Sequence, residues 1–309
     1  MTELHIIFLG TTGSIPTPSR SLPAIAIKMG RELLLFDCGE GTQSQMARAH
    51  LSPMRLKAIF ITHLHGDHFL GLAGLVQTMS LMDRKEKLEV YCPLEGKERI
   101  ENFLRVPYYT LTFEVHVKEL KPGDELRRSG YSIKTCRVDH PVPALAYALL
   151  EDQRSGKFYP QKAIALGVKA GPDFSRLKSG KSVKLRDGCV VKPEQVMGPP
   201  QPGRKIVYAG DTRPCESIVK FSEGADVLIH DCTLANELAE RAVETGHSTP
   251  AEAAEIAKRA EVKQLVLIHI SPRYEDDSVL LKQAKQIFPN VEVAKDLMEL
   301  EVKLQGAQK

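Results

Sequence analysis

The sequence predicts an α/β fold whose strands end in loops carrying His and Asp. Three observations predict it. Short apolar runs alternate with stretches of helical spacing. One of those runs, Leu56 to Ile61, feeds straight into His63-Leu64-His65-Gly66-Asp67-His68. Other His and Asp residues fall just past the ends of further strand-like runs.

Taken in order, His5 to Leu9 reads as a first strand with no basic stretch before it, so no signal peptide is expected. It ends at Gly10-Thr11-Thr12-Gly13-Ser14, a turn that either offers backbone N–H groups to a phosphate or merely connects. Ala24 to Ile27 and Leu33 to Phe36 read as paired strands around Met29-Gly30-Arg31, followed by Asp37 and a short helix from about Thr42. Asp37 is expected to orient a ligand from behind it. The apolar spacing of Leu72, Leu75, Val76 and Met79 predicts a helix after the His cluster. Strands are expected at Val90 to Cys92, Phe113 to Val117, Tyr131 to Val138 and Leu145 to Leu150, and a helix at Glu95 to Leu104.

From about Glu151 to Arg204 the apolar pattern fades. Between Arg154 and Asp187 nine Lys or Arg face two Asp, an excess of seven, while the whole chain carries only +3. A basic arm therefore sits on a mildly acidic body. A solvated linker is one reading of it; a grip on a phosphate backbone is the favoured one. Beyond it, Lys205 to Ala209, Asp226 to Ile229 and Leu265 to Ile268 read as strands ending at Asp211, His230 and His269. Thr249-Pro250-Ala251-Glu252 reads as a capped helix start. A last helix (about Ser278 to Phe288) and short strands near Val291 to Val293 and Leu297 to Val302 complete the pattern.

The 309 residues suit one large domain or two small ones. No window is long and apolar enough for a membrane span. The six cysteines are scattered without a Cys-x-x-Cys pair, which suits free thiols in a reducing cytoplasm.

The chemistry concentrates on His63, His65, Asp67, His68, His140, Asp211 and His269, all expected at strand ends. Imidazole and carboxylate suit zinc and related divalent ions. Seven ligands with one bridging carboxylate give four protein donors to each of two ions, and Asp211, alone on its strand, is the natural bridge. Such a pair lowers the pKa of a bridging water and orients a phosphate, but it serves other hydrolyses too. His247, beside the capped helix start, is a candidate general acid or a residue that merely caps and packs. His230 is expected behind the site. His5, His50 and His116 read as surface or packing residues.

Thr62 to His68 resembles the metallo-β-lactamase superfamily signature. Together with Phe36 to Gln43, Asp139-His140-Pro141, Gly210-Asp211-Thr212, Gly246-His247-Ser248-Thr249 and His269-Ile270-Ser271, essentially the whole chain resembles the short-form ribonuclease Z family of tRNA 3′-processing endonucleases. Leu166 to Pro172 with Leu177 to Gly180 resembles that family's exosite arm. The resemblance implies a four-layer αβ/βα sandwich of the metallo-β-lactamase type with a protruding basic exosite arm. Residues 1–309 would be one domain, with 151–204 an inserted flexible arm for tRNA binding. It implies two Zn2+ per subunit and a homodimer, the arm of one subunit holding precursor tRNA presented to the other. The cut would fall 3′ of the discriminator nucleotide, made by a metal-activated hydroxide, leaving a tRNA 3′-hydroxyl.

By matching motif, His63, His65 and His140 would bind one metal, Asp67, His68 and His269 the other, and Asp211 both. Asp67 would also accept a proton and His247 would assist the leaving group. In the arm, Lys157, Lys162, Lys169, Arg176, Lys178 and Lys181 would bind RNA. Two departures stand out. Asp231 occupies the place of a Glu common in the family, which leaves its support of His247 open, and Lys169-Ala170 replaces prolines. Two rival readings are a small-molecule ester or sulfate hydrolase of the same superfamily, which needs no basic arm, and a non-catalytic RNA-binding module. Seven intact ligands argue against the latter.

Overall fold

The computed structural model describes residues 3–304. The strands in chain order are β1 (Leu4–Gly10), β2 (Ala24–Met29), β3 (Glu32–Phe36), β4 (Leu56–Phe60), β5 (Leu88–Pro93), β6 (Val115–Leu120), β7 (Glu125–Arg128), β8 (Tyr131–Arg137) and β9 (Leu145–Glu151). They continue with β10 (Val183–Lys184), β11 (Val190–Val191), β12 (Lys205–Tyr208), β13 (Val227–Asp231), β14 (Leu265–Ile268), β15 (Val291–Val293) and β16 (Glu299–Glu301). The residues fall into two compact units, the larger running up to Leu150 and resuming at Lys205, the smaller spanning Glu151–Arg204.

In the larger unit two seven-stranded sheets form, ordered β16-β1-β2-β3-β4-β5-β6 and β15-β14-β13-β12-β9-β8-β7. Each mixes hairpin-linked antiparallel strands with parallel ones: β3 to β6 and β12 to β15 run parallel. Side-chain alternation explains the layering. Leu4, Ile6 and Phe8 join Tyr131, Ile133, Tyr147, Ile206 and Ile229 in a core shared by both sheets. Ile7 and Leu9, on the opposite face of β1, pack with Leu72, Leu75, Val76 and Met79 of the helix Leu72–Leu81. Val207 and Leu228 likewise pack with Ala253, Ala254 and Ala257 of the helix Pro250–Arg259. Helix, sheet, sheet and helix thus make four layers, as the family resemblance implies. At its centre the Phe60 ring stacks between Phe36 and Tyr91, with centroids 5.0 and 5.1 Å away.

The sequence reading differs from the structure where elements are short. Between the turn at Pro122-Gly123-Asp124 and β8 lies β7, which was not expected. The strand expected at Phe113 to Val117 forms at Val115–Leu120. Helices Glu216–Ser222 and Ala239–Thr245, seven residues each, were not expected either. His230 and Asp231 belong to β13 itself, because the strand pairs with β14 as far as Ile268. The capped start at Thr249 forms as expected: Thr249 N–H donates to Glu252 Oε2 at 2.9 Å.

The smaller unit has a core of its own. Ala163, Val168, Leu177, Val183, Val191 and Val196 are buried together. Val168 lies between helices Pro160–Ala165 and Pro172–Lys178, and the others come from these helices, from Pro193–Val196 and from the β10–β11 hairpin. Each helix starts with Pro at its first position, where the missing N–H costs nothing. Lys157, Lys162, Lys169, Arg176, Lys178 and Lys181 are all exposed on this unit. Lys162 lies over the Tyr159 ring and Lys178 over the Phe158 ring, 4.7 and 5.1 Å from the centroids. Among the described residues no helix is long and apolar enough to cross a membrane.

Candidate metal centre

Four strands of the two sheets deliver the cluster. Just past β4 come His63, His65, Asp67 and His68; past β8, His140; past β12, Asp211; past β14, His269. Asp211 Oδ2 is the hub, standing 3.6 Å from His63 Nε2 and 3.3 Å from Nε2 of both His68 and His269. On one side His63 Nε2 and His140 Nε2 face His65 Nδ1 at 3.0 and 3.3 Å. On the other Asp67 Oδ2 lies 3.3 Å from His269 Nε2 and 3.6 Å from His68 Nε2. The ligand atoms of His63, His65, His140 and Asp211 lie within 4.8 Å of one another, as do those of Asp67, His68 and His269.

Hydrogen-bond direction tests whether these residues fit a metal. The Thr62 hydroxyl has one proton and directs it to Asp37, at 3.0 and 2.9 Å from its two oxygens. Towards His63 Nδ1, 3.0 Å away, it can therefore only accept, which places the ring proton on Nδ1 and leaves Nε2 bare. Asp231 repeats the device. Thr233 Oγ1 donates to Asp231 Oδ1 at 2.6 Å and so accepts from His269 Nδ1 at 2.8 Å. His140 Nδ1 donates to the Gly246 carbonyl at 3.1 Å. His68 Nδ1 pairs with Asp37 Oδ2 at 2.8 Å, while its buried Nε2 faces the two cluster carboxylates and makes no hydrogen bond. Bare nitrogens around His65 Nδ1, which has at most one proton to give, fit a divalent cation, as does this outer-partner pattern. Zinc's usual nitrogen and oxygen donors are all present.

For His63, His65 and His140 the electrostatics agree. Burial, reinforced by neighbouring imidazoles, lowers His63, His65 and His140 and keeps them in the neutral form that binds metal. Burial opposes charge on His68 as well, but the Asp211 and Asp37 carboxylates outweigh it and raise that group. Burial would raise Asp211, yet His269 and His68 hold it well below the usual carboxylate range. Burial would raise Asp67 too, but the adjacent His269 and His68 side chains hold it low.

Loops complete the site. Ser14, in the left-handed region at φ 64°, donates its N–H to Asp67 Oδ2 at 2.7 Å. Gly13 donates to the Ile270 carbonyl and Thr12 to that of Ser21, so this turn spends its N–H groups inside the protein rather than offering them to a phosphate. A Cβ on Gly13 would stand 2.3 Å from the His269 ring, which explains the glycine. His247 Nδ1 pairs with Asp231 Oδ2 at 2.9 Å, so the shorter carboxylate does reach it. Burial works to lower His247, but the charge and hydrogen bond of Asp231, with Asp211 beyond, raise it to about 9. Asp37 sits behind the ligands, holding Thr62, His68 and the Tyr208 hydroxyl. His230 reaches only the Asp231 carbonyl at 2.9 Å, and His5 pairs with Glu299 and His116 with Glu114. The sequence gives no role of their own to Thr62, Thr233 and Tyr208, and it places Ser14 in a connecting or phosphate-binding turn, not beside Asp67.

Two family models match. One, described as anti-Pycsar protein Apyc1, covers residues 4–156; the other, a beta-lactamase superfamily domain, covers residues 195–270. The chain is 52% identical over 300 residues to ribonuclease Z of Methanosarcina acetivorans, covering 97% of this chain and 98% of that one. It is 45% identical over 300 residues to ribonuclease Z of Methanothermobacter thermautotrophicus, covering 97% of each. Among solved structures, human tRNase Z, short form, superposes with a TM-score of 0.72 at 29% identity, covering 97% of this chain and 100% of that one. The metallo-beta-lactamase fold protein YhfI from Bacillus subtilis gives 0.71 at 21% identity over 97% of this chain and 100% of its own, a likeness of fold alone.

Proposed function

This chain belongs to the ribonuclease Z family, and from that premise we propose that it is a two-zinc endoribonuclease that removes the 3′ trailer from precursor tRNA. It is an endoribonucleolytic hydrolase acting in tRNA 3′ processing. The finer reading is a cut 3′ of the discriminator nucleotide that leaves a 3′-hydroxyl on the tRNA. The observation that carries it is Asp211 Oδ2 standing between the bare imidazole nitrogens of two ligand sets.

In this reading His63, His65 and His140 would hold one ion, Asp67, His68 and His269 would hold the other, and Asp211 would serve both. The ions would supply Lewis acidity at the scissile phosphate and acidify water there. Asp67, fixed by the Ser14 N–H, takes the proton of the attacking water. As the water oxygen bonds to phosphorus, the bond from phosphorus to the discriminator 3′-oxygen breaks. His247, aligned by Asp231, gives that oxygen its proton. The exposed Lys and Arg of Glu151–Arg204 supply the hold on folded RNA, working across a cytoplasmic homodimer.

The test is cleavage of an end-labelled precursor tRNA by the wild type and by Asp67→Ala, with product ends mapped and bound metal measured. A single cut beside the discriminator, lost in the variant, is expected. No cut by a zinc-loaded wild type would sink the reading and turn the search to small-molecule esters or sulfates.

A further inference from the structure

Arg213 lies two residues beyond Asp211 and touches none of the cluster's ligand atoms, yet it ties together both loops that face them. Its backbone N–H donates to the Asp139 carbonyl at 2.8 Å, pinning the residue before His140. Its guanidinium reaches the other way. Nη1 donates to the His247 carbonyl and to Glu252 Oε2, the latter at 2.9 Å, and Nη2 donates to Glu252 Oε1. Glu252 is itself committed, because Oε2 also accepts from the Thr249 N–H at 2.9 Å and from its hydroxyl at 3.0 Å.

One side chain thus grips the backbone of His247 and the capping box two residues later. The side chains of Arg213 and Glu252 are 17% and 27% exposed, so the fork is shielded but not deeply buried. The arrangement needs a planar fork. A lysine ammonium can satisfy the Glu252 carboxylate as a point charge but cannot hold both its oxygens and the His247 carbonyl in fixed directions.

We propose that Arg213 is a positioning residue for the leaving-group step: it sets where the His247 imidazole stands relative to Asp211. The imidazole pairs with Asp231, its ring stacks on that of His269 with centroids 5.0 Å apart, and its Nδ1 is 3.9 Å from Asp211 Oδ2. Its backbone is held by the His247 N–H to Ala242 carbonyl bond at 2.8 Å and by Arg213 on the carbonyl side. Without the fork the His247 carbonyl loses its anchor, the peptide is left to the Ser248 N–H bond to Asp231, and the ring shifts on its stacking partner while the metal ligands keep their own supports at Thr62, Asp37 and Thr233. Misplacement of a proton donor costs turnover, not ground-state binding.

The inference rests on His247 acting as the proton donor, so the test separates the two. Arg213→Lys, Arg213→Ala and His247→Ala are compared with wild type on precursor tRNA and on bis(p-nitrophenyl) phosphate, whose leaving group needs no proton. Melting temperature and bound zinc are read alongside. Arg213→Lys, which keeps the charge, is expected to fold and to carry wild-type metal. On RNA its kcat should fall about tenfold or more with KM within about twofold, and its activity on the activated ester should be retained. Arg213→Ala should lose more on RNA, approaching His247→Ala. Equal loss on both substrates in the Arg213 variants, with His247→Ala sparing the ester, would overturn the positioning role in favour of a general structural one. Unchanged RNA cleavage in Arg213→Lys and Arg213→Ala would overturn it outright. Equal loss on both substrates in His247→Ala would instead remove the proton-donor reading, and this inference with it.

Discussion

Asp231 Oδ2 stands 2.9 Å from His247 Nδ1, and the same carboxylate serves a metal-facing histidine on its other side. Oδ1 takes the Thr233 proton, and Thr233 then accepts from His269. Oδ2 also takes the backbone N–H groups of Thr212 and Ser248, at 3.3 and 3.2 Å. One fully buried carboxylate therefore orients both the candidate acid and a candidate ligand.

Asp231→Asn should be among the most damaging changes outside the ligand set. The amide removes the negative charge that keeps His247 protonated and must turn an NH2 towards Thr233 or His247. We expect kcat on precursor tRNA to fall by about 10²-fold or more, by analogy with orienting carboxylates elsewhere. Asp231→Glu should also lose activity, because a fully buried site has no room for a further methylene. Steady-state kinetics of both variants check this.

Thr233→Val removes the hydroxyl at nearly constant shape. His269 then has no acceptor for its Nδ1 proton and loses its fixed tautomer. Metal affinity at the Asp67, His68 and His269 side is expected to drop by about 10- to 100-fold. Titration against a chelator of known affinity, with the wild type alongside, should show one of two bound equivalents weakened.

Replacing Lys157, Lys162, Lys169, Arg176, Lys178 and Lys181 by Gln should leave the fold intact, since all six are exposed. KM for precursor tRNA should rise while kcat at saturation holds. The slope of log affinity against log salt should become shallower by about one for each phosphate that is no longer neutralised. A salt series of binding isotherms measures it, and an unchanged slope would deny this unit its place in RNA binding.

Far from the site, Glu89 is only 8% exposed and is paired with Arg128 and Lys118. Burial alone would raise its carboxyl, but these two cations bring it down to about 2. A folded-state value below the unfolded one stabilises above the unfolded pKa, and that stability drains as pH falls through the folded one. At pH 7 the wild type should exceed Glu89→Gln by about 1–2 kcal/mol. The gap should narrow steadily between about pH 4.5 and 2. Urea denaturation across that range reads it directly.

The candidate ligands were legible in the sequence. His63, His65, Asp67 and His68 announce themselves by local spacing, and His140, Asp211 and His269 by falling where an apolar run stops. The alternation of strand and helix patterns likewise announced an α/β fold, while two sheets with helices outside came from the family resemblance. Short elements were less legible: β7 and the helices Glu216–Ser222 and Ala239–Thr245 have too few residues for a period to stand out. In Glu151–Arg204 six small apolar residues, spread between prolines and lysines, make a core that no periodicity marks.

What only the tertiary structure decided is direction. Ser14 meets Asp67 across 53 residues of chain, Thr233 meets His269 across 36, and Arg213 meets Glu252 across 39. Threonine, serine and arginine are common residues whose chemistry depends on which partner takes their proton. Sequence determines which donors exist and roughly where each strand releases them. Whether a hydroxyl gives or accepts, and so which nitrogen of a histidine stays bare, is set by the carboxylates and histidines that the strands bring to the same edge.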